Sequence, residues 1–155
     1  MNLNIKKIKE SDTNLLKKIA SIEKLEFSEP LSEKTLTDCT STDRYRIYAL
    51  TENHQLLAYI VLCLCDTEAQ ILSIASIEKR KGYMESLFKN CIKELKIFGV
   101  KRIHLEVRKS NTAAIRLYKK LGFCLSGCRK NLYTKPVEDG YIMYLETKNY
   151  ADIRY

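Results

Sequence analysis

Leu105-Glu106-Val107-Arg108-Lys109-Ser110-Asn111-Thr112-Ala113-Ala114-Ile115-Arg116-Leu117-Tyr118-Lys119-Lys120-Leu121-Gly122-Phe123 is the stretch that decides the fold. From Arg102 to Val107 apolar and polar residues alternate at the period of a strand. Ile103, Leu105 and Val107 point to one face, Arg102, His104 and Glu106 to the other. The period then changes to that of a helix over 111–121, which Gly122 ends. Glu106 therefore stands on the polar side of its strand, at the C-terminal end. Asn111 and Tyr118 lie two helical turns apart, so both face one groove. Alone, Glu106 reads as a solvent-facing glutamate and Tyr118 as a packing aromatic beside Ile115 and Leu121. Together, the carboxylate, the helix-start amide and the phenol form a set suited to acyl transfer.

Working outward, Gly82 and Gly99 bracket a helix with Leu87, Cys91, Leu95 and Phe98 on one face. Before it, 45–51, 56–65 and 69–76 read as strands, the first two joined as a hairpin across Glu52-Asn53-His54-Gln55. Residues 3–9 alternate as a first strand. Ser11 is placed to cap a helix whose apolar positions are Leu15, Leu16, Ile19, Ile22 and Leu25, and a short helix follows from Ser32. Phe123–Arg129 and Tyr141–Glu146 supply the last two strands. The order β, α, α, β, β, β, α, β, α, β, β predicts an α/β (α+β) domain, a mixed and mostly antiparallel sheet with helices on both faces.

Composition narrows the setting. A chain of 155 residues fits one compact domain, taken as 1–148 with a tail over 149–155. No apolar run approaches the roughly 20 residues needed to span a bilayer, and Met-Asn-Leu-Asn-Ile-Lys-Lys is no signal core, so a cytoplasmic protein without membrane contact is expected. The six cysteines form no CxxC pair and only two histidines could join them, so no metal site is expected. Cys63, Cys91 and Cys124 lie in apolar runs and read as small buried hydrophobes. The net charge of +8 invites anionic partners. The basic residues are dispersed, however, and no stacking motif accompanies them, so direct nucleic-acid binding is not expected. Lys79-Arg80-Lys81-Gly82-Tyr83-Met84 precedes a helix whose free amides and dipole favour a phosphate, although such a run also serves as a solvated turn.

The stretch from Leu105 to Phe123 resembles the signature of the GNAT acetyltransferases, particularly the RimI-type ribosomal-protein alanine N-acetyltransferases. Further segments agree in order: Phe27-Ser28-Glu29-Pro30-Leu31-Ser32-Glu33-Lys34, Asp66-Thr67-Glu68-Ala69, Ile74-Ala75, Arg129-Lys130-Asn131-Leu132-Tyr133, and Glu138-Asp139 before Ile142-Met143. The resemblance spans nearly the whole chain and is densest between 100 and 145. It implies a GNAT-like fold in which strands ending near Ser76 and Glu106 splay apart to hold acetyl-CoA, the acetyl donor.

By position, it implies that the backbone of Ile74, Ala75 and Ser76 pairs with the pantetheine arm. The amides of Arg80, Lys81, Gly82, Tyr83, Met84 and Glu85 would cradle the pyrophosphate, and Asn111 would reach the cofactor from the other wall. Glu106 falls where such enzymes place the general base and Tyr118 where they place the general acid. The acceptor implied is a protein N-terminal α-amine, that of a ribosomal protein. Another amine (lysine, polyamine or small molecule), or a non-catalytic member binding acyl-CoA or the ribosome, is the alternative. The sequence departs from the family at Lys79, where Gln or Arg is usual, and at Met84, where a small residue is usual. The turn Ser76-Ile77-Glu78 is also about two residues shorter than usual, and Leu31 replaces a common aromatic.

Overall fold

The computed structural model describes residues 2–79 and 81–150, so Arg80 and part of the expected tail, 151–155, lie outside the described residues. The elements run β1 (Leu3–Lys7), α1 (Thr13–Glu26), α2 (Glu33–Thr40), β2 (Tyr45–Glu52), β3 (Gln55–Cys65), β4 (Glu68–Ser76), α3 (Tyr83–Ile97), β5 (Arg102–Arg108), α4 (Thr112–Lys120), β6 (Cys124–Thr134) and β7 (Val137–Glu146), then a short 3₁₀ turn over Thr147–Asn149. This is the expected order. Among the described residues the strands form one seven-stranded sheet, β1-β2-β3-β4-β5-β7-β6. The chain divides into two compact units, Met1–Leu64 with Leu72–Cys91 and Cys65–Ile71 with Ile92–Tyr155.

In the first unit β1 runs antiparallel to β2, and β2 to β3. Glu52 faces Gln55 across a two-residue turn in which Asn53 and His54 take φ of 49° and 65°. Both residues are left-handed, as the tight turn that matches strand twist requires. Leu16 and Ile19 of α1 and Leu36 of α2 pack with Ile47, Tyr59 and Val61 of the strands into one core. Each such side chain contributes about 1.5–3 kcal/mol by leaving water.

The α1 stripe differs from expectation. Leu16, Ile19, Ala20 and Glu23 are its buried residues, whereas Leu25 is 85% exposed. The spacing 16, 19, 20, 23 puts a carboxylate on the core face, where a scan for apolar residues does not look. Nor does Ser11 cap the helix. Asp12 is its N-cap residue, and its carboxylate accepts instead from the Lys9 amide (2.8 Å) and Lys6 Nζ (2.7 Å). Ser32 does cap α2, accepting from the Thr35 amide at 3.0 Å, a bond worth about 1 kcal/mol.

In the second unit the start of β4 runs parallel to β5, and β7 lies antiparallel between β5 and β6. Ile103, Leu105 and Val107 are buried with Met143 and Leu145, as the alternation predicts. The last two strands are longer than the sequence suggested. β6 continues to Thr134 and β7 starts at Val137, so the hairpin projects as an arm. Its outer half was hidden because Arg129-Lys130-Asn131 shows no alternation. The register shifts there, and Asn131 takes φ 54°.

Two buried positions are also corrected. Phe98 is 58% exposed, because α3 ends at Ile97 and Gly99 (φ +84°) turns the chain away. Cys124 is exposed at the start of the edge strand β6, whereas Cys91 is buried. All six cysteines are free thiols. In the expected tail, Tyr150 is buried, and its carbonyl accepts from Lys96 Nζ at 3.4 Å. No described helix is long and apolar enough to cross a membrane.

Candidate active site

The second unit carries Glu106, Asn111 and Tyr118. Glu106 is exposed on β5, opposite Ile142 of β7, and its Oε1 lies 3.6 Å from Arg129 Nη1 on β6. Tyr118 is the buried residue of α4, 6% exposed, its ring 5.9 Å from that of Phe123. Burial pushes its phenol up to about 12, and the neighbouring Tyr133 adds to the shift. Tyr133, on the hairpin arm, is itself raised by burial and then by the charge of Glu106, against the opposing charge of Arg108. Tyr133 thus stands within electrostatic reach of both Glu106 and Tyr118. The sequence offered it as part of a matched segment without a role.

Asn111 is the N-cap of α4, its Oδ1 accepting from the Ala114 amide at 3.2 Å. The cap orients the helix that carries Tyr118 and leaves the Asn111 amide nitrogen at the exposed helix start. His104, the other titratable group on the Glu106 face, is tied to Glu68 by a 3.1 Å contact from Nε2.

Arg108 shapes the arm. Its guanidinium donates to the carbonyls of Lys135 and Pro136 and to Glu138, each at 3.1 Å, and stacks 4.3 Å from the Tyr133 ring. Hydrogen bonds from the Ser110 side chain and amide, then Arg108, hold the Glu138 carboxyl below the usual carboxylate range. Gly140 of β7 lies under the same arm. A side chain there would press on Leu132 and approach Tyr133 Cε2 to 3.0 Å. Periodicity in the sequence gives no hint of this brace, because its members are polar and lie as many as 30 positions apart.

The first unit carries the expected phosphate loop. Ile74, Ala75 and Ser76 end β4 half-buried. Ala75 packs on the core, while Ser76 Oγ donates to the Glu78 carbonyl at 2.7 Å. Lys81 and Gly82 are exposed, and Tyr83, Met84 and Glu85 form the half-buried first turn of α3. Gly82 takes φ +73° with no atom within 4 Å of where a Cβ would sit, so backbone geometry demands glycine and the approach stays open. Its carbonyl accepts from the Ser86 amide at 3.1 Å, starting the helix. Glu85 would oppose an anion at this end, but Lys89 Nζ stands 3.1 Å from it and offsets the charge. Arg80 lies outside the described residues.

Met84 is the departure to test here. If its side chain crowds the phosphate, Met84→Gly should tighten acetyl-CoA binding, less up to about 1 kcal/mol for added glycine flexibility. Titration calorimetry on both forms decides this: equal or weaker binding by a folded glycine variant would show that the loop is built around methionine.

Comparison with known proteins extends this reading. Residues 14–123 match the acetyltransferase (GNAT) family. The ribosomal protein bS18 alanine N-acetyltransferase of Escherichia coli K12 is 38% identical over 128 residues, covering 80% of this chain and 86% of that protein. Its counterpart in Haemophilus ducreyi is 31% identical over 138 residues, covering 88% and 91%. The crystal structure of the Escherichia coli ribosomal-protein-S18-alanine N-acetyltransferase superposes with a TM-score of 0.84 at 33% identity, covering 99% of each chain. Arabidopsis thaliana NAA60 in complex with acetyl-CoA shares the fold, with a TM-score of 0.80 at 17% identity over 96% and 100% of the two chains. The chain belongs to the GNAT family and is an acetyl-CoA-dependent N-acetyltransferase.

Proposed function

We propose that this enzyme passes the acetyl group of acetyl-CoA to the N-terminal α-amine of a protein, the alanine of ribosomal protein bS18, in the cytoplasm. The observation that carries the acceptor is the 38% identity to an enzyme named for that reaction, over 128 residues. The matched segments Phe27–Lys34 and Arg129–Tyr133 support it further. In this reading Glu106, exposed at the end of β5, removes the proton of the amine directly or through one water. A strand amide among Ile74, Ala75 and Ser76 faces the oxyanion, and the amides of Arg80 to Glu85 and the side chain of Asn111 hold the cofactor. Among the described residues the parallel pairing of β4 with β5 runs from Glu68–Arg102 to Gln70–His104.

Tyr118 returns a proton to the departing thiolate. A phenol at about 12 is a poor donor to an exposed thiolate of pKa about 8.5, since the gap amounts to roughly 5 kcal/mol. The same apolar surroundings raise the pKa of a thiolate bound beside Tyr118, which narrows the gap. Sharing of the phenolic proton then suffices as the sulfur leaves. A mass-spectrometric survey of protein N-termini, with and without the gene, tests the acceptor. The bS18 alanine should lose its acetyl group in the deletion, and an unchanged bS18 terminus would reject the assignment.

A further inference from the structure

Glu23 is the acid that this chemistry leaves unused, and it is 1% exposed within the first unit. Its Oε1 accepts from the Tyr59 hydroxyl of β3 at 2.6 Å and from the Ser73 hydroxyl of β4, while Oε2 accepts from the Leu31 amide at 3.0 Å. No cation stands among these described partners. An apolar side chain would fill this core position at lower cost, since a carboxylate gives up water here for hydrogen bonds alone. What the acid gains is the set of donors it gathers.

Two of its contacts bracket one segment. The Phe27 amide donates to the backbone carbonyl of Glu23 at 3.0 Å, and the Leu31 amide donates to its side chain at the same distance. Residues 27–31 therefore leave and return to a single residue. That residue is in turn fixed to Ser73, the immediate neighbour of Ile74. Leu31 packs on the core beside the tether, and Ser32 begins α2 directly after it.

We infer that Glu23 is a positioning residue: its buried carboxylate holds segment 27–31 in register with β4, so that the acceptor peptide meets the acetyl-bearing strand in a fixed place. This rests on the proposed function, in which the matched segment Phe27–Lys34 supports a protein α-amine as the acceptor. The three donors are not equivalent. A hydroxyl can turn and accept, whereas the Leu31 amide can only donate. In Glu23→Gln the amide group can therefore keep its oxygen on Leu31 and give its NH₂ to the hydroxyls, and the tether survives. Glu23→Ala loses it. Leu31→Pro also removes it, by deleting the donor while leaving the acid in place.

Steady-state kinetics with a peptide bearing N-terminal alanine should show about a tenfold rise in the peptide KM for Glu23→Ala and Leu31→Pro, with the acetyl-CoA KM within about twofold of wild type and near-wild-type behaviour in Glu23→Gln. If Glu23→Ala does not fold, Leu31→Pro carries the test. An unchanged peptide KM in folded Leu31→Pro, or equal increases in both KM values, would overturn the inference. A wild-type enzyme inactive on the peptide would instead reject the acceptor assignment.

Discussion

Replacing Glu106 with Gln, or Tyr118 with Phe, should each lower turnover by roughly 10²- to 10⁴-fold while leaving acetyl-CoA binding near wild type. Glu106→Gln keeps the shape at the end of β5 and removes the basic oxygen. The 3.6 Å approach of Arg129 is long enough for the carboxylate to swing toward an amine. Tyr118→Phe keeps the ring that packs against Phe123 and removes the hydroxyl, and with it the proton to be donated.

The pH profile separates the two groups. The folded-state pKa of Tyr118, about 12, lies above the ordinary value of about 10, so burial favours the neutral phenol. Its contribution to stability is complete below about pH 10 and is lost as pH rises through about 12. Tyr118 therefore holds its proton throughout the working range, and the rise of kcat/KM with pH below about 8 should come from the amine. Wild-type turnover in both variants would remove the assignment. Loss of activity in His104→Ala with Glu106→Gln still active would move the base to His104, which Glu68 now engages.

The second large effect concerns the acceptor. An N-terminal amine at about 7.7–8.0 surrenders its proton about 2.5 units more readily than lysine at about 10.4, a difference of about 3.4 kcal/mol. With a carboxylate base, kcat/KM near neutral pH should favour a free N-terminal alanine over an internal lysine in an N-blocked peptide by about 300-fold. Rates measured side by side on the two peptides check this directly. Faster acetylation of the lysine would show that the site selects against the easier proton and would exclude α-amine specificity.

The parts legible in the sequence were those with a period. Alternation over Arg102–Val107 placed Ile103, Leu105 and Val107 inside and Glu106 outside, and the glycines marked both ends of α3. The two-residue turn at Asn53-His54 was equally visible. Groups held by long-range polar contacts escaped. Glu23 sits on a helix stripe that an apolar pattern passes over, and Arg108 gathers the arm through carbonyls that any residue type would supply. The arm itself was cut short at Arg129 because an irregular register interrupts the alternation. Tyr118 was placed by spacing, but its burial, and hence its weakness as an acid, comes from the surrounding fold.

Gly140 has a meaning for how this protein can diverge. It touches no reacting group, yet any side chain there displaces Leu132 and crowds Tyr133 from behind. The placement of Leu132 and Tyr133 on the arm is thus partly encoded on the opposite strand. A side chain at 140 would require residues 132 and 133 to give way first, whereas residue 132 can shrink with Gly140 unchanged.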